Sequence, residues 1–153
     1  MELKPERYSF TYKEIDIRQS AAFPNRKSVW RPYLEIILST QTSEYQLRSD
    51  AWLDSGADHC VFPLSFTASL GLNLSTMKKT MILGHGGIEN PTYFSDVIIT
   101  IPAVNQPPIT FTAFAGFAAG LEELGAGVLG HAGFFDSFAV LFEGRRKSFT
   151  IVT

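Results

Sequence analysis

The residues best suited to chemistry lie in the segment AWLDSGADHCV, which begins at Ala51. Its apolar start is typical of a buried strand, and it runs directly into Asp54, followed by three small residues, Ser55, Gly56 and Ala57. A buried carboxylate is costly unless it is paired or hydrogen-bonded. Asp54 is therefore either a solvated turn residue or an acid that takes part in a reaction.

Two glycine-containing segments follow Asp54 along the chain. The first is the tip of a predicted hairpin, made of Gly84, His85, Gly86 and Gly87. Glycines at a hairpin tip suit the positive φ angles that tight turns require. The second segment is Val128–Gly130, two apolar residues and a glycine, after which a short helical stretch is predicted.

The elements that would position these segments are predominantly strands, because short apolar or alternating runs are separated by turn residues. The predicted strands are Tyr8–Ile17, Val29–Ser39, Tyr45–Leu53, Thr80–Leu83, Ile88–Phe94, Asp96–Ile101, Ile109–Phe114, Phe138–Phe142 and Ser148–Val152. Helical signals are short and confined to Pro63–Leu70 and Ala132–Ser137. The pattern predicts an all-β fold, either a barrel or a sandwich.

The length and composition suit a single domain covering residues 1–153. The net charge of −2 and the scattered lysines and arginines give no reason to expect nucleic-acid binding. A single cysteine, Cys60, rules out an intrachain disulfide. The N-terminus lacks the apolar core of a signal peptide, and no apolar run reaches the roughly 18 residues of a membrane span. We therefore expect a soluble, cytoplasmic protein without a membrane partner.

The three segments, in this order, resemble the retropepsin-like aspartic proteases, the single-lobe relatives of pepsin. The resemblance extends over roughly Pro32–Val152 and is clearest in LDSGADHCVFP and GVLG, while SLGLNL is typical of cellular and bacterial members. It implies a closed acid-protease barrel with one or two short helices and a flap hairpin. It also implies an aspartic endopeptidase that acts on peptide or protein substrates without a cofactor.

Such hydrolysis needs one carboxylate to take a proton from water and one carboxylic acid to protonate the carbonyl oxygen. Two carboxyl groups about 3 Å apart cannot both ionise, so they share a proton. This chain has one Asp-Ser-Gly, at Asp54, and the other candidates, Asp50 and Asp136, lack the glycine. We therefore expect a homodimer in which two copies of Asp54 meet at a twofold axis.

The small residues after Asp54 support the site in this scheme. Gly56 lets the backbone approach the carboxylate and offer its N–H. The resemblance implies that the Ser55 hydroxyl bonds to backbone across the twofold axis. Ala57 leaves room for the substrate backbone.

The remaining predicted site residues would hold the peptide. Gly84, Gly86 and Gly87 would let the flap bend over an extended substrate and exclude water. The predicted substrate-binding residues are Asp58, Val61, Ile88 and Val128.

The chain departs from the family pattern at two places. Many members follow the late glycine with an arginine that pairs with the acid at the position of Asp58. Here His131 stands in place of the arginine, and an Asp58–His131 pair is one hypothesis for what replaces that contact. Residues 1–31 exceed a minimal viral-type subunit and are expected to supply an extra strand or part of the dimer interface. The Phe149–Thr153 end is a further candidate for that interface.

Other readings of the same residues remain open. The principal alternative keeps the fold but not the chemistry, as a catalytically silent domain that binds peptide or partner protein or that dimerises. A monomeric β-domain without a carboxylate pair is a third. If GHGG were the oxyanion loop of an esterase, the chain would need a Gly-x-Ser-x-Gly elbow, and it has none. If GHGG were a phosphate-binding loop, Lys-Ser/Thr would follow it, and it does not. The spacing of His59, His85, His131 and Asp58 fits no common metal site, and Cys60 is expected to be a small buried residue.

Overall fold

The structure, a computed structural model, describes residues 4–84 and 86–153 and is mostly β. The strands are β1 (Arg7–Thr11), β2 (Lys13–Asp16), β3 (Ser28–Arg31), β4 (Tyr33–Ser39), β5 (Gln46–Leu53), β6 (Val61–Pro63), β7 (Lys78–Leu83), β8 (Glu89–Ile101), β9 (Ile109–Ala118), β10 (Gly127–Leu129), β11 (Ala139–Glu143) and β12 (Ser148–Val152). The α-helix is α1 (Phe66–Ser69), and single 3₁₀ turns cover Leu74–Thr76, Ala119–Leu121 and Gly144–Arg146. The predicted all-β class is confirmed.

The chain divides into two compact units, one of them Leu34–Ser137. Its strands form one sheet in the order β4-β5-β10-β6-β9-β8-β7. β4 also pairs with β8, so six of these strands form a closed ring of pairings. This unit contains every predicted site residue that the structure describes.

The core of this unit follows from alternation along its strands. In β4, Leu34, Ile36 and Leu38 are buried, while the side chains between them are more exposed. Phe117 of β9 and Leu129 of β10 are also fully buried in this unit. Burying each such side chain stabilises a fold by about 1.5–3 kcal/mol, so these positions contribute strongly to the stability of the sheet.

The predicted glycine-tipped hairpin is present. β7 and β8 pair antiparallel from Lys78 with Phe94 to Leu83 with Glu89. β8 then continues to Ile101, where the sequence predicted a separate strand from Asp96 onward. The strand is continuous because β9 pairs with all of it from Thr92 to Ile101.

The other unit combines the described residues up to Tyr33 with Phe138–Thr153. It contains a three-stranded antiparallel sheet, β1-β12-β11, and the hairpin β2–β3. Two predicted strands are each divided, at Tyr12 and at Pro32. The second division has a direct cause, since proline has no N–H to donate to a strand ladder.

β12 is the central strand of that sheet, with β1 on one side and β11 on the other. Both of its backbone edges are therefore already paired within the chain. The Phe149–Thr153 end cannot add an edge strand to a second chain without giving up one of these neighbours. The outer strands of the sheet are β1 and β11 instead.

The predicted one or two short helices correspond to one α-helix in the described residues. Pro63–Leu70 contains only the four residues of α1, and Ala132–Ser137 forms turns rather than a helix. In the two described ranges, no helix has the length and apolar character needed to cross a membrane.

Candidate active site

Asp54 lies at the end of β5, where that strand runs parallel to β10. Leu53 is in register with Leu129, and the N–H of Asp54 donates to the Leu129 carbonyl oxygen at 3.1 Å. The pairing with β10 thus extends one residue beyond β5. It fixes the backbone of Asp54 at the point where the strand gives way to a turn.

The turn after Asp54 folds back on the carboxylate. The N–H of Ala57 donates to the Asp54 carbonyl oxygen at 3.1 Å, and the N–H of Gly56 donates to Asp54 Oδ1 at 2.9 Å. A Cβ at Gly56 would lie 3.2 Å from Asp54 Oδ1, closer than most such contacts. The expectation that glycine lets the backbone reach the carboxylate therefore agrees with this geometry.

The backbone of the segment after β10 is hydrogen-bonded to this turn. The N–H of His131 donates to the Ala57 carbonyl oxygen at 2.9 Å, and the N–H of Ala132 donates to the Asp58 carbonyl oxygen at 2.8 Å. A Cβ at Gly130 would lie 2.4 Å from the His59 carbonyl oxygen. Only glycine permits this close approach of two backbone segments.

The side chain of His131 has a partner other than the one expected. Its Nε2 lies 2.8 Å from the carbonyl oxygen of Ser55, and its ring packs against Phe135 at 5.5 Å between centroids. Asp58 is exposed, and within the described part of the chain its carboxylate forms no ion pair with His131. The expected Asp58–His131 pair is absent because the ring points at the Ser55 backbone.

The hairpin tip is shaped by its glycines. The N–H of Gly84 donates to the Ile88 carbonyl oxygen at 2.8 Å, and the N–H of Gly87 donates to the Gly84 carbonyl oxygen at 3.1 Å. Gly86 and Gly87 have φ angles of 87° and 78°, which side-chain-bearing residues rarely adopt. His85, the remaining predicted flap residue, lies outside the described residues.

A cleft of about 810 Å³ separates the Asp54 turn from this hairpin. Many of the predicted site residues line it, namely Asp54, Gly56, Ala57, Asp58, Val61, Gly84, Ile88 and Val128. Ser55, Gly86 and Gly87 are not among its lining residues. The structure thus brings the three sequence segments together around one cavity.

Several lining residues were not predicted as site residues. They are His59, Ile82, Leu83, Asn90, Thr92, Ala118, Gly120 and Leu121. Those on β7 and β8 flank the predicted flap, so extending that prediction along both strands would have found them. Ala118 ends β9, and Gly120 and Leu121 follow it; none of them belongs to a motif, and sequence offered no signal for them.

His59 and Asp58 both line the cleft, although adjacent residues on an extended strand point to opposite faces. The backbone bends at Asp58, which removes that alternation. The His59 ring meets Phe94 edge-on at 5.5 Å.

The cleft is acidic and apolar. Its described lining includes two carboxylates, of Asp54 and Asp58, and neither lysine nor arginine. Over the two described ranges, no group of three or more His, Cys, Asp and Glu side chains is arranged to hold a metal ion.

Cys60 stands in sequence between two cleft-lining residues, His59 and Val61, and is fully buried. Burial raises the pKa of its thiol to about 11, and backbone hydrogen bonds at Gly130 and Phe134 offset part of that effect. A thiol held in its protonated form is a weak nucleophile. Cys60 is accordingly a packing residue of the site.

Similarity to known proteins is confined to solved structures. No protein-family model matches the chain, and no curated protein matches its sequence. Among solved structures, it is similar to a retropepsin-like aspartic protease from Rickettsia conorii, with 14% sequence identity and a TM-score of 0.48. That match covers 99% of this chain and 96% of the other. A similarity this low does not establish a function, which follows instead from the residues of this chain.

Proposed function

We propose that this protein is a retropepsin-like aspartic endopeptidase, active as a homodimer with a closed acid-protease barrel in each subunit. One observation carries the proposal. Asp54 follows the buried Leu53 at the end of β5, its carboxylate accepts the Gly56 N–H, and it lines one cleft together with residues of the glycine-tipped hairpin. A carboxylate that is oriented by backbone and open to a substrate cleft is suited to proton transfer.

The proposed reaction uses Asp54 of each subunit. The ionised copy takes a proton from a water molecule, whose oxygen attacks the peptide carbonyl carbon, while the protonated copy donates its proton to the carbonyl oxygen. The copy that took the proton from water then donates it to the amide nitrogen, and the other copy takes back a proton from one hydroxyl of the intermediate. The C–N bond breaks as the carbonyl re-forms, giving a carboxylic acid and an amine. No metal and no covalent enzyme intermediate enters this scheme.

The substrate would bind as an extended peptide between the Asp54 turn and the hairpin. Leu83 and Ile88 are about two-thirds exposed although both line the cleft. A bound peptide would cover them, and the hairpin would then close over it as a flap and exclude water. Apolar side chains of the peptide would contact Val61 and Val128 on the opposite wall.

The homodimer is part of the proposal because each chain offers a single Asp-Ser-Gly turn. A twofold axis beside Asp54 would place the same residue against itself. Since β12 is already paired on both sides, the contact between subunits would use other surfaces than its edges.

The test compares Asp54→Asn with Asp136→Asn on unfolded casein and a peptide library between about pH 4 and pH 7. Both substitutions remove one charge from an Asp-Ser pair, and Asp136 lies outside the cleft lining. We expect Asp54→Asn to lose at least about a hundredfold in kcat, the range for a general acid–base group, and Asp136→Asn to match the wild type.

Equal turnover by wild type and Asp54→Asn, or none by either, would refute the protease. In the second case, binding of an uncleaved peptide by both proteins would favour the catalytically silent binding domain. The cleft would then serve recognition alone.

A further inference from the structure

We infer that His131 is a positioning residue for Asp54, acting through the peptide group between Ser55 and Gly56. The effect on catalysis rests on the proposed function, whereas the orientation of the peptide group by His131 does not. His131 does not line the cleft and would touch no substrate.

Two hydrogen bonds hold opposite ends of one peptide group. The carbonyl oxygen of Ser55 lies 2.8 Å from His131 Nε2. The N–H of Gly56, which belongs to the same peptide group, donates to Asp54 Oδ1 at 2.9 Å. Because a peptide group is planar and rigid, fixing its carbonyl also fixes the direction of its N–H.

The donor in the first bond must be the histidine. A carbonyl oxygen can only accept, so His131 Nε2 has to carry the proton. Withdrawal of electron density at the carbonyl also polarises the N–H at the other end, since linked hydrogen bonds strengthen one another. His131 therefore both orients and strengthens the bond that Gly56 makes to the candidate catalytic carboxylate.

His131 is itself well placed to hold that peptide group still. Its own N–H is bonded to the Ala57 carbonyl oxygen at 2.9 Å, and its ring rests against Phe135. The residue thus contacts the turn at two backbone oxygens, those of Ser55 and Ala57. Without the bond from His131 Nε2, the Ser55 carbonyl oxygen would lose this partner, and the orientation of the peptide group would depend on the Gly56 N–H bond and the turn alone.

Three substitutions at His131 distinguish the effect of the Nε2 donor from the effect of the aromatic ring. His131→Phe keeps an aromatic ring against Phe135 and removes the donor. His131→Gln places an amide N–H close to the position of Nε2, whereas His131→Asn is too short to reach the Ser55 oxygen. All three keep the backbone N–H that bonds to Ala57.

The first readout needs no variant and no activity. Imidazole ¹⁵N shifts of the wild-type protein report which ring nitrogen of His131 is protonated in the neutral form, and we expect Nε2. The second readout is the amide ¹H shift of Gly56, which we expect to move upfield in His131→Phe and His131→Asn and to stay near its wild-type value in His131→Gln.

The third readout is peptide cleavage. We expect kcat to fall about threefold to tenfold in His131→Phe and His131→Asn, the factor that one ordinary hydrogen bond represents, with KM little changed. His131→Gln should recover most of the wild-type kcat. Thermal unfolding of each variant shows whether it is folded.

The inference is overturned if neutral His131 is protonated at Nδ1, or if the Gly56 signal is the same in His131→Phe and wild type. It is also overturned if His131→Gln loses as much kcat as His131→Phe, because an N–H donor at this position would then not restore the function. A wild-type protein that cleaves nothing would refute the proposed function, while the two NMR readouts would still decide the role of His131.

Discussion

At the scale of single residues, the Asp54 turn is defined by where its backbone groups point. The N–H groups of Gly56 and Ala57 both turn inward, one to the carboxylate and one to the carbonyl oxygen of Asp54. Small side chains make this possible because a larger one at Gly56 would crowd the carboxylate. The chemistry of the site thus depends on residues that have almost no side chain.

The buried thiol of Cys60 predicts how the free energy of unfolding depends on pH. Its thiol pKa is raised from 9.0 to about 11, so the folded protein holds this proton more tightly than the unfolded chain does. The stabilisation is fully present below pH 9 and is lost as the pH rises toward 11. We expect the free energy of unfolding to fall over that interval, measured by urea denaturation at successive pH values.

Cys60→Ala is the control for this effect, because it removes the titrating group and should flatten that part of the profile. Iodoacetamide at pH 8 provides a second check, since the buried thiol should react only as fast as the protein opens. Rapid labelling of the native protein would contradict the assignment of Cys60 as a packing residue.

At the scale of elements, the site depends on β10, a strand of only three residues. It pairs parallel with β5 and antiparallel with β6, which places it between the strand that leads into Asp54 and the one that follows the turn. Immediately after it, Gly130 passes against the backbone of Ala57 and His59. The turn is therefore held by two segments far apart in sequence.

Gly130→Ala tests this close approach. The added Cβ would lie 2.4 Å from one carbonyl oxygen and 2.6 Å from another, and backbone atoms cannot move aside cheaply. We expect a loss of about 1–3 kcal/mol in the free energy of unfolding, the usual cost of overpacking. Urea denaturation measures it.

Gly120→Ala is the matched control in the same unit, since its added Cβ would be 3.6 Å from the nearest atom. We expect a change within about 0.5 kcal/mol there. If both substitutions cost the same, steric contact at Gly130 does not hold the turn.

At the scale of the whole molecule, the central question is how many chains make one site. Each chain supplies a single Asp54 turn, and the proposed reaction needs two carboxyl groups. Association must then precede catalysis, so specific activity should rise with protein concentration.

Mixing wild type with Asp54→Asn tests this directly. If subunits exchange at random in an equal mixture, about one quarter of the dimers carry two copies of Asp54. We expect activity to follow that fraction rather than the amount of wild-type chain. Light scattering on the same samples reports the oligomeric state, and activity proportional to wild-type chain, or a purely monomeric protein, would contradict the homodimer.

The sequence by itself determined the features that depend on neighbouring residues. The alternation in β4, the glycine-tipped hairpin of β7 and β8, and the hairpin of β11 and β12 are all local patterns. The apolar run into Asp54 followed by small residues likewise marks a strand that ends in a tight turn. Local patterns of this kind are readable because strand alternation and turn geometry act over a few residues.

Only the tertiary structure decided which distant segments meet. β6 and β10 are too short to show alternation, and their pairing with β5 and β9 joins segments that are far apart in the chain. The same holds for His131, whose ring turns to the Ser55 carbonyl oxygen instead of Asp58. Such contacts depend on how the whole sheet packs. The order of residues along the chain does not show in which direction a side chain points.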